Sequence, residues 1–484
     1  MELDRTGWLG EFFDILLAEY RPERAYARLS AVARGEGSAE ALPAKVRVLR
    51  HLDEELRRSG LLYGSPKLPS RMTLGRRLDR AHTLFLSVLA GECFVALDVG
   101  RILGIPYRRE HAEVVLTIAL AVAVGRVDLA TAASRHLGPP RRAAGSRILE
   151  SLASLPALAV PELEASLPRI QERIEAELVG RVGIATGDSM FDLPVHNGLV
   201  FGDVRVIARV ASDLHRHGRF RPEFARRVYE AATRERARLL PGLVALIRLQ
   251  RPLSDVERRV VIRELRRLKV PRELSRRVRD AIDAGVTPSE LARQIRTRSA
   301  RRFALEQAWL AALIGDAGGV EERFVAELAE AFDFTPDDLA AIEAEAADYF
   351  FDPEDVIDAF EIRAKGQGAT EKLVDRIERE ITENIDKIAI EVKETGELTQ
   401  LLAKAAVGQK LTPQERQKAR EQLLDLAKVV PSLAIIAAPG GMLIFAALLK
   451  VLPFSLLPSA FQQRPSAPAR RRPTRRPTRT RKGG

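Results

Sequence analysis

The chain has 484 residues, a formal net charge of +11 and a single cysteine. At about 150 residues per domain, this length predicts about three domains. Hydrophobic residues make up 46% and charged residues 30% of the chain, which excludes a fully disordered protein and a multi-span membrane bundle.

The composition favours helices. Aromatic residues account for only 5%, whereas Ala, Leu, Arg and Glu, which lose little rotamer freedom in a helix, recur throughout. We therefore predict an all-α fold: a multi-helix body, a C-terminal kinked apolar hairpin and a disordered basic tail. Cys93 lies in an apolar run, so we expect a buried thiol and a reducing compartment. The acids Glu2 and Asp4 predict no export signal.

The N-terminal half is predicted to form two helical regions. Amphipathic helices are expected in residues 1–64 and a helical domain in residues 71–240. Two apolar runs of this domain, residues 83–97 and 114–124, are shorter than a membrane-spanning helix. We expect both runs to form a buried helical core.

The stretch of residues 183–203 is rich in Gly, Asp, Asn and Pro, and is predicted to be the least regular part of the body. Pro194 interrupts the spacing of a single helix, and no HExxH motif is present. Capping and turn-forming acids are the favoured interpretation, and a metal site or catalytic centre is the alternative. The residues concerned are Asp188, Asp192, His196 and Asp203.

Charge is unevenly distributed along the following region. Basic residues outnumber acids 27 to 11 in residues 205–302, and acids outnumber basic residues 16 to 1 in residues 315–361. The two stretches are expected to attract one another. The basic stretch also suits RNA or anionic lipid, but solvated faces of amphipathic helices are the favoured interpretation.

Four hydroxyl residues are each followed three positions later by an acid. In this spacing the two side chains satisfy backbone donors at the start of a helix, so the pattern predicts four capped helix starts and explains these acids without catalysis. The pairs are Ser254 and Glu257, Thr287 and Glu290, Thr335 and Asp338, and Thr412 and Glu415.

Within a predicted helical region of residues 241–362, an apolar helix ends in an acid and glycines before a second helix begins. The residues are Asp316, Gly318, Gly319 and Glu321, followed by the capped start at Thr335. Over residues 305–345 this pattern resembles the helical domain named for the tellurite-resistance protein TerB. The resemblance implies metal binding by Asp316 and Glu321, although Ala317 separates that aspartate from the glycines.

Motifs of several common enzyme classes are absent from the sequence. There is no GxxxxGK[ST], no GxSxG, no CxxC and no GxGxxG after a predicted strand. The acidic run of residues 348–361 lacks the glycine that an EF-hand loop requires. We therefore predict no enzyme, no cofactor and no metal site.

The C-terminal region combines a capped helix with an uncharged run. The helix is predicted over residues 413–428, and the 21 residues of 429–449 carry no charge. At 1.5 Å per residue the run is about 30 Å long, the thickness of a bilayer core. Pro439 and the glycines after it break the run. Two interpretations remain: a kinked membrane-inserted segment, or a hairpin packed against the body.

An ordered set of residues spans the same region. It comprises Gly408, Leu411, Thr412, Glu415, Asp425, Pro431, Pro439, Gly440, Gly441, Lys450, Pro458, Ser459 and Phe461. Over about residues 390–462, within a segment of residues 363–462, this set resembles the LETM family, the leucine-zipper and EF-hand transmembrane proteins of the mitochondrial inner membrane.

The resemblance implies membrane association, and in the mitochondrial members ion homeostasis by proton-coupled cation exchange together with ribosome binding. Met442 stands near the position where those members carry an acid, so exchange chemistry is not implied here. We therefore expect a non-enzymatic LETM-like protein on the cytoplasmic side of the inner membrane. The alternative is a soluble TerB-like, metal-responsive protein whose LETM-like stretch is a packed hairpin.

Residues 463–484 form a basic tail with nine positive residues and no acid, so the rest of the chain is nearly neutral. Such a segment is expected to be disordered and to bind polyanions, either anionic lipid headgroups or ribosomal RNA. A solubilising tail without a partner is the alternative. The predicted contacts are Arg470, Arg471, Arg472, Arg475, Arg476, Arg479, Arg481 and Lys482.

Overall fold

The computed structural model is all-helical where it describes the chain, which confirms the predicted fold class. Its described residues are 3–20, 43–66, 80–105, 107–137, 166–180, 186–267, 272–314, 320–351, 359–360, 375, 377–379, 381–394, 396–406, 409, 411–412, 414–416, 418–419, 422–423, 444, 447–449 and 451. No strand occurs among these residues.

The chain divides into two compact units, Met1–Lys372 and Leu373–Gly484. The described helices of the first unit that precede its two longest helices are α1 (Trp8–Glu19), α2 (Ala44–Arg58), α3 (Arg80–Ile102), α4 (Arg109–Ala123), α5 (Val127–Ala133) and α6 (Leu167–Val179).

The start of α1 is held by a carboxylate from another helix. Glu175 of α6 accepts hydrogen bonds from the backbone N–H groups of Gly7 at 3.0 Å and Leu9 at 2.8 Å. Backbone N–H groups at a helix start have no partner within their own helix, and an acid placed there also suits the helix dipole. Gly7 has a φ of 94°, a conformation that glycine adopts without strain.

The two longest helices of the unit are α7 (Ser189–His217) and α8 (Pro222–Gln250), and they pack along one another. Helix α7 runs without interruption through Pro194, so the predicted irregular stretch of residues 183–203 is wrong for residues 189–203. Proline removes only one backbone donor, and Phe191 and Leu193, which come just before it, are almost fully buried. Their burial offsets the lost hydrogen bond.

Helices α3 and α4 pack on α7 and contain the two apolar runs, and the buried core predicted there is confirmed. The predicted length is wrong for the first run, because flanking residues extend its helix. Ala81–Ile102 spans 22 residues and is long and apolar enough to cross a membrane; its 18-residue window of mean hydropathy 1.7 is 83% buried within the protein.

Beyond α8 the first unit continues with shorter helices that pack on α8 and on one another. Helix α8 itself continues across the predicted domain boundary at residue 240. The remaining described helices of this unit are α9 (Asp255–Arg267), α10 (Arg272–Ala284), α11 (Pro288–Gln294), α12 (Arg298–Ile314), α13 (Val320–Ala331) and α14 (Pro336–Phe351).

Three of the four predicted helix starts lie in this region, and all three are confirmed. In each, the acid accepts from the backbone N–H of the hydroxyl residue, and the hydroxyl oxygen accepts from the backbone N–H of the acid. The pairs are Ser254 with Glu257, Thr287 with Glu290, and Thr335 with Asp338.

The predicted attraction between the basic and acidic stretches is observed where the two meet. The side chains of Arg298, Arg301 and Arg302 on α12 lie 3.6, 2.9 and 2.5 Å from carboxylate oxygens of the acidic stretch. Their respective partners are Asp338, Asp333 and Glu345.

Helices α2, α12 and α14 are joined by a largely buried charge network. Glu306, with 1% of its side chain exposed, accepts hydrogen bonds from the guanidinium groups of Arg57 at 2.8 Å and Arg302 at 3.0 Å. Glu345 lies 3.3 Å from Arg57 as well. Burial by itself lowers the pKa of Arg57, but Glu306 and Glu345 raise it above its ordinary value.

The second unit contains helices α15 (Ile385–Glu394) and α16 (Gly396–Ala406), which pack together. Ile388, Val392 and Leu398 are among their buried side chains. The predicted kink at Pro439 and the basic tail lie outside the described residues.

We expect Glu306→Ala to lower the free energy of unfolding of the first unit by about 2 kcal/mol, because two partly buried guanidinium groups lose their hydrogen bonds to this carboxylate and keep only Glu345 as an acidic partner. Both tryptophans, Trp8 and Trp309, lie in this unit, so urea denaturation followed by tryptophan fluorescence measures its unfolding. The matched control is Asp14→Ala, which removes an exposed ion pair with Arg109 and should change the stability by less than about 1 kcal/mol. Equal effects of the two variants would contradict the proposed role of Glu306.

Candidate functional site

The described part of the LETM-like set is a helix start in the second unit. The backbone N–H of Thr412 donates to Glu415 Oε2 at 2.8 Å, and the backbone N–H of Glu415 donates to Thr412 Oγ1 at 3.2 Å. The fourth predicted capping box is therefore confirmed. Leu411 lies just before it and is partly buried. The other positions lie outside the described residues: Gly408, Asp425, Pro431, Pro439, Gly440, Gly441, Lys450, Pro458, Ser459 and Phe461.

Two ion pairs connect this helix start to α16. Lys404 Nζ donates to both carboxylate oxygens of Glu415, at 2.6 and 2.7 Å, and Lys418 Nζ lies 3.2 Å from Glu397. The hydrogen bond from Lys404, followed by those from Thr412, lowers the pKa of Glu415 to about 2. The ionised carboxylate thus holds the capped turn against α16.

The three acids of the alternative metal site each have a structural role of their own. Asp188 caps α7 by accepting from the backbone N–H of Met190 at 2.9 Å. Asp192 accepts from the backbone N–H groups of Thr186 and Gly187, the latter at 2.7 Å. Asp203 forms a buried ion pair with Arg236.

These contacts confirm the capping interpretation of Asp188 and give Asp192 and Asp203 structural partners of their own. The part of the chain that the structure describes contains no group of three or more His, Cys, Asp and Glu side chains suited to a metal ion.

His196 belongs to the buried interior rather than to a site. Its ring lies 5.5 Å from that of Phe360, and its Nε2 has no hydrogen-bond partner among the described residues. Burial lowers the pKa of His196 to about 4, so the imidazole is neutral at pH 7. A neutral imidazole that packs on a phenyl ring has a structural role.

Of the TerB-like pattern, the structure describes only part. Asp316, Gly318 and Gly319 lie outside the described residues, and Glu321 lies in α13, of which only the backbone is described at that position. The predicted tail contacts from Arg470 to Lys482 also lie outside them.

A buried Asp–His pair that sequence reasoning missed joins α2 to α3. His51 Nε2 lies 3.0 Å from Asp98 Oδ2, and the hydroxyl of Tyr20 donates to Asp98 Oδ1 at 2.9 Å. Burial opposes ionisation of Asp98, but the hydrogen bond with His51 and the other neighbours lower its pKa below the ordinary value. Because all three side chains are buried, the group acts as a structural tie.

A cleft of about 300 Å³ on the first unit is lined largely by arginines. It is formed by α8, α10, α11 and the segment after α11. We define the arginine cleft by its lining residues: Arg234, Arg238, Glu273, Leu274, Arg277, Arg293, Gln294 and Arg296.

The arginines of the cleft differ in their partners. Arg277 pairs with Glu273 at 2.5 Å, and Arg234 lies 3.6 Å from Glu230. Arg238, Arg293 and Arg296 have no carboxylate within 4 Å among the described residues. Five guanidinium groups thus face one lining carboxylate, which is the chemistry of an anion-binding site.

The sequence of residues 205–302 favours solvated helix faces and does not reveal the cleft. One signal was present, because Arg234 and Arg238 are four residues apart and so share one face of a helix. The convergence of Arg277, Arg293 and Arg296 on that face depends on how three helices pack.

Comparison of the chain with protein-family models, with curated proteins and with solved structures returns no match. The LETM-like and TerB-like resemblances therefore rest on the residues themselves.

Acid should destabilise the first unit partly through His196. Its pKa is lowered to about 4 in the folded protein, so as the pH falls below about 6.5 the unfolded chain binds a proton that the folded chain does not. Stability is lost between about pH 6.5 and pH 4, by about 3 kcal/mol from this residue.

Urea denaturation of the wild type and of His196→Gln across this pH range measures the effect. We expect a smaller dependence on pH in the variant. His215, whose pKa burial also lowers to about 4, is present in both proteins, so the difference isolates His196. Parallel pH profiles would contradict the expected burial effect.

The carboxylate of Glu415 should respond to its lysine. We expect Lys404→Met to raise the pKa of Glu415 from about 2 toward its ordinary value, because the principal hydrogen bond to the ionised form is lost. A lowered carboxyl pKa stabilises the fold above the unfolded value of 4.5, and that stability is lost as the pH falls toward 2.

Carbon-detected NMR titration of the carboxyl groups measures this pKa directly. The matched control is Lys418→Met, which removes a neighbouring lysine paired with Glu397 instead. The control should leave the titration of Glu415 unchanged, and an equal shift in both variants would show that Lys404 has no special role.

Proposed function

We propose that this chain is a non-enzymatic, LETM-like helical protein that associates with an anionic membrane through its C-terminal unit. In a bacterial cell this would be the cytoplasmic side of the inner membrane. The first unit is then a helical body held at the membrane surface by the second.

One observation carries the proposal. The chain divides between Lys372 and Leu373, and the LETM-like set, the uncharged run and the basic tail all follow this division in the sequence. Features that direct the chain to a membrane can therefore act in the second unit without disrupting the core of the first.

The physical chemistry of the two C-terminal segments supports lipid as the partner. The uncharged run of residues 429–449 offers apolar side chains to a bilayer, and the basic tail follows it directly. Each basic residue near an anionic surface contributes about 1 kcal/mol, and this attraction weakens as salt is added. The order of run and tail also agrees with the positive-inside rule.

The resemblance also implies ion homeostasis and ribosome binding. The proposal stops at membrane association, because Met442 stands near the place of the acid that exchange chemistry would use. Binding of the tail to ribosomal RNA in place of lipid is the alternative outcome that the experiment distinguishes.

A second candidate is favoured by a specific observation. In the uncharged run the described side chains of Ile444, Ala447 and Leu448 are 1%, 0% and 0% exposed. Buried positions of this kind suit a soluble TerB-like protein whose hairpin is packed against protein. The metal-responsive part of that candidate rests on Asp316 and Glu321.

Membrane fractionation tests the first candidate against the second. We expect the full chain in the membrane pellet after a salt wash, because the uncharged run is held by apolar contacts that salt does not weaken. A truncation ending at Ala427 should move to the supernatant. Recovery of both proteins in the supernatant would exclude membrane association and favour the second candidate.

A matched variant separates the roles of the run and the tail. In the tail-Gln chain the eight predicted contacts of the tail, Arg470 to Lys482, are each replaced by Gln at unchanged length. Flotation should show weaker binding of the tail-Gln chain than of the wild type to anionic vesicles, and equal binding of the two chains to neutral vesicles, where only the uncharged run contributes. Sedimentation with ribosomes in place of vesicles would instead assign the tail to RNA.

A further inference from the structure

We propose that the arginine cleft of the first unit binds a diphosphate or triphosphate group of a soluble ligand. This site lies wholly within Met1–Lys372 and is separate from the membrane association proposed for the second unit. The inference therefore goes beyond the proposed function and does not depend on it.

The charge of the lining selects the class of ligand. The lining holds five arginines and one glutamate around a volume of about 300 Å³, and Glu230 lies 3.6 Å from Arg234, so an excess of about three positive charges is left. One phosphate group carries about −1.5 to −2 at pH 7, so a single phosphate neutralises about half to two thirds of the excess. Two or three linked phosphates match it.

The arrangement of the arginines supports the same class. Arg234 and Arg238 follow one another on α8, Arg277 lies on α10, and Arg293 and Arg296 lie at and just beyond the end of α11. Guanidinium groups presented from three directions can each offer a fork of two N–H donors to a different phosphate oxygen. A chain of phosphates accepts several such forks at once.

The volume and the lining of the cleft favour a small ligand over a membrane surface. A volume of about 300 Å³ is at the small end of ligand pockets, and Leu274 and Gln294 complete the lining. The side-chain amide oxygen of Gln294 is enclosed and has no hydrogen-bond partner among the described residues. A flat bilayer cannot enter such a cleft with its headgroups side by side.

The arginines of the cleft repel one another more strongly than charges spread over a solvated helix face do. Like charges that line one concavity repel one another, and low salt strengthens this repulsion. Removing two of them should therefore leave the free protein as stable or make it more stable, while removing the ligand site.

Calorimetric titration of the full chain with sodium pyrophosphate and tripolyphosphate at low salt tests the proposal. We expect both to bind at least about ten-fold more tightly than orthophosphate, because each additional charge-assisted hydrogen bond contributes about a factor of ten. The variant Arg238→Gln with Arg293→Gln should weaken pyrophosphate binding at least about ten-fold without lowering the melting temperature.

The matched control removes the same number of positive charges from arginines outside the cleft. Arg209 and Arg219 are exposed, lie in the same basic stretch and do not line the cleft. Arg209→Gln with Arg219→Gln should change the affinity for pyrophosphate less than two-fold, about the limit of non-specific screening effects. An equal loss in both double variants would overturn the proposal, because attraction to the whole surface would then explain binding.

Reciprocal variants distinguish this inference from the proposed function. The tail-Gln chain should lose affinity for anionic vesicles and keep its affinity for pyrophosphate, whereas the cleft variant should show the reverse. Loss of vesicle binding in the cleft variant, with no pyrophosphate binding by the wild type, would assign the cleft to lipid headgroups. Binding of single-stranded RNA without binding of pyrophosphate would assign it to nucleic acid. Either result overturns the proposal.

Discussion

A buried ion pair between Asp203 on α7 and Arg236 on α8 fixes the two longest helices against one another. Both side chains are at most 5% exposed, and breaking a buried pair of this kind costs about 3–5 kcal/mol. Gly202 makes the contact feasible, because a Cβ at that position would lie 2.0 Å from the guanidinium of Arg236. Helices α3 and α4 then pack on α7, and α10 and α12 pack on α8.

The same turn of α8 connects this core contact to the arginine cleft. Arg236 is directed into the core, while Arg234 and Arg238, two positions away on either side, line the cleft. Positions two apart lie on nearly opposite faces of a helix. The ion pair that sets the rotation of α8 therefore also sets the direction of two cleft arginines, so the fold and the proposed anion site share one determinant.

The charges of the first unit fall into two kinds. Glu306, Asp203 and Glu175 are buried and are satisfied by guanidinium or backbone donors, as burial requires. Arg238, Arg293 and Arg296 stand without carboxylates around an open concavity. The arginines of this concavity therefore offer positive charge to an external anion.

The sequence by itself determined the all-α class, the buried apolar runs and the four capped helix starts, because these depend on side chains within a few residues of one another. Such local patterns also predicted that Asp188 caps a helix. The sequence did not determine that α7 continues through Pro194, since burial of Phe191 and Leu193 by distant helices decides it. Only the tertiary structure brought Arg238, Arg277 and Arg293 around one cleft, because their convergence depends on the packing of three helices and on no local spacing.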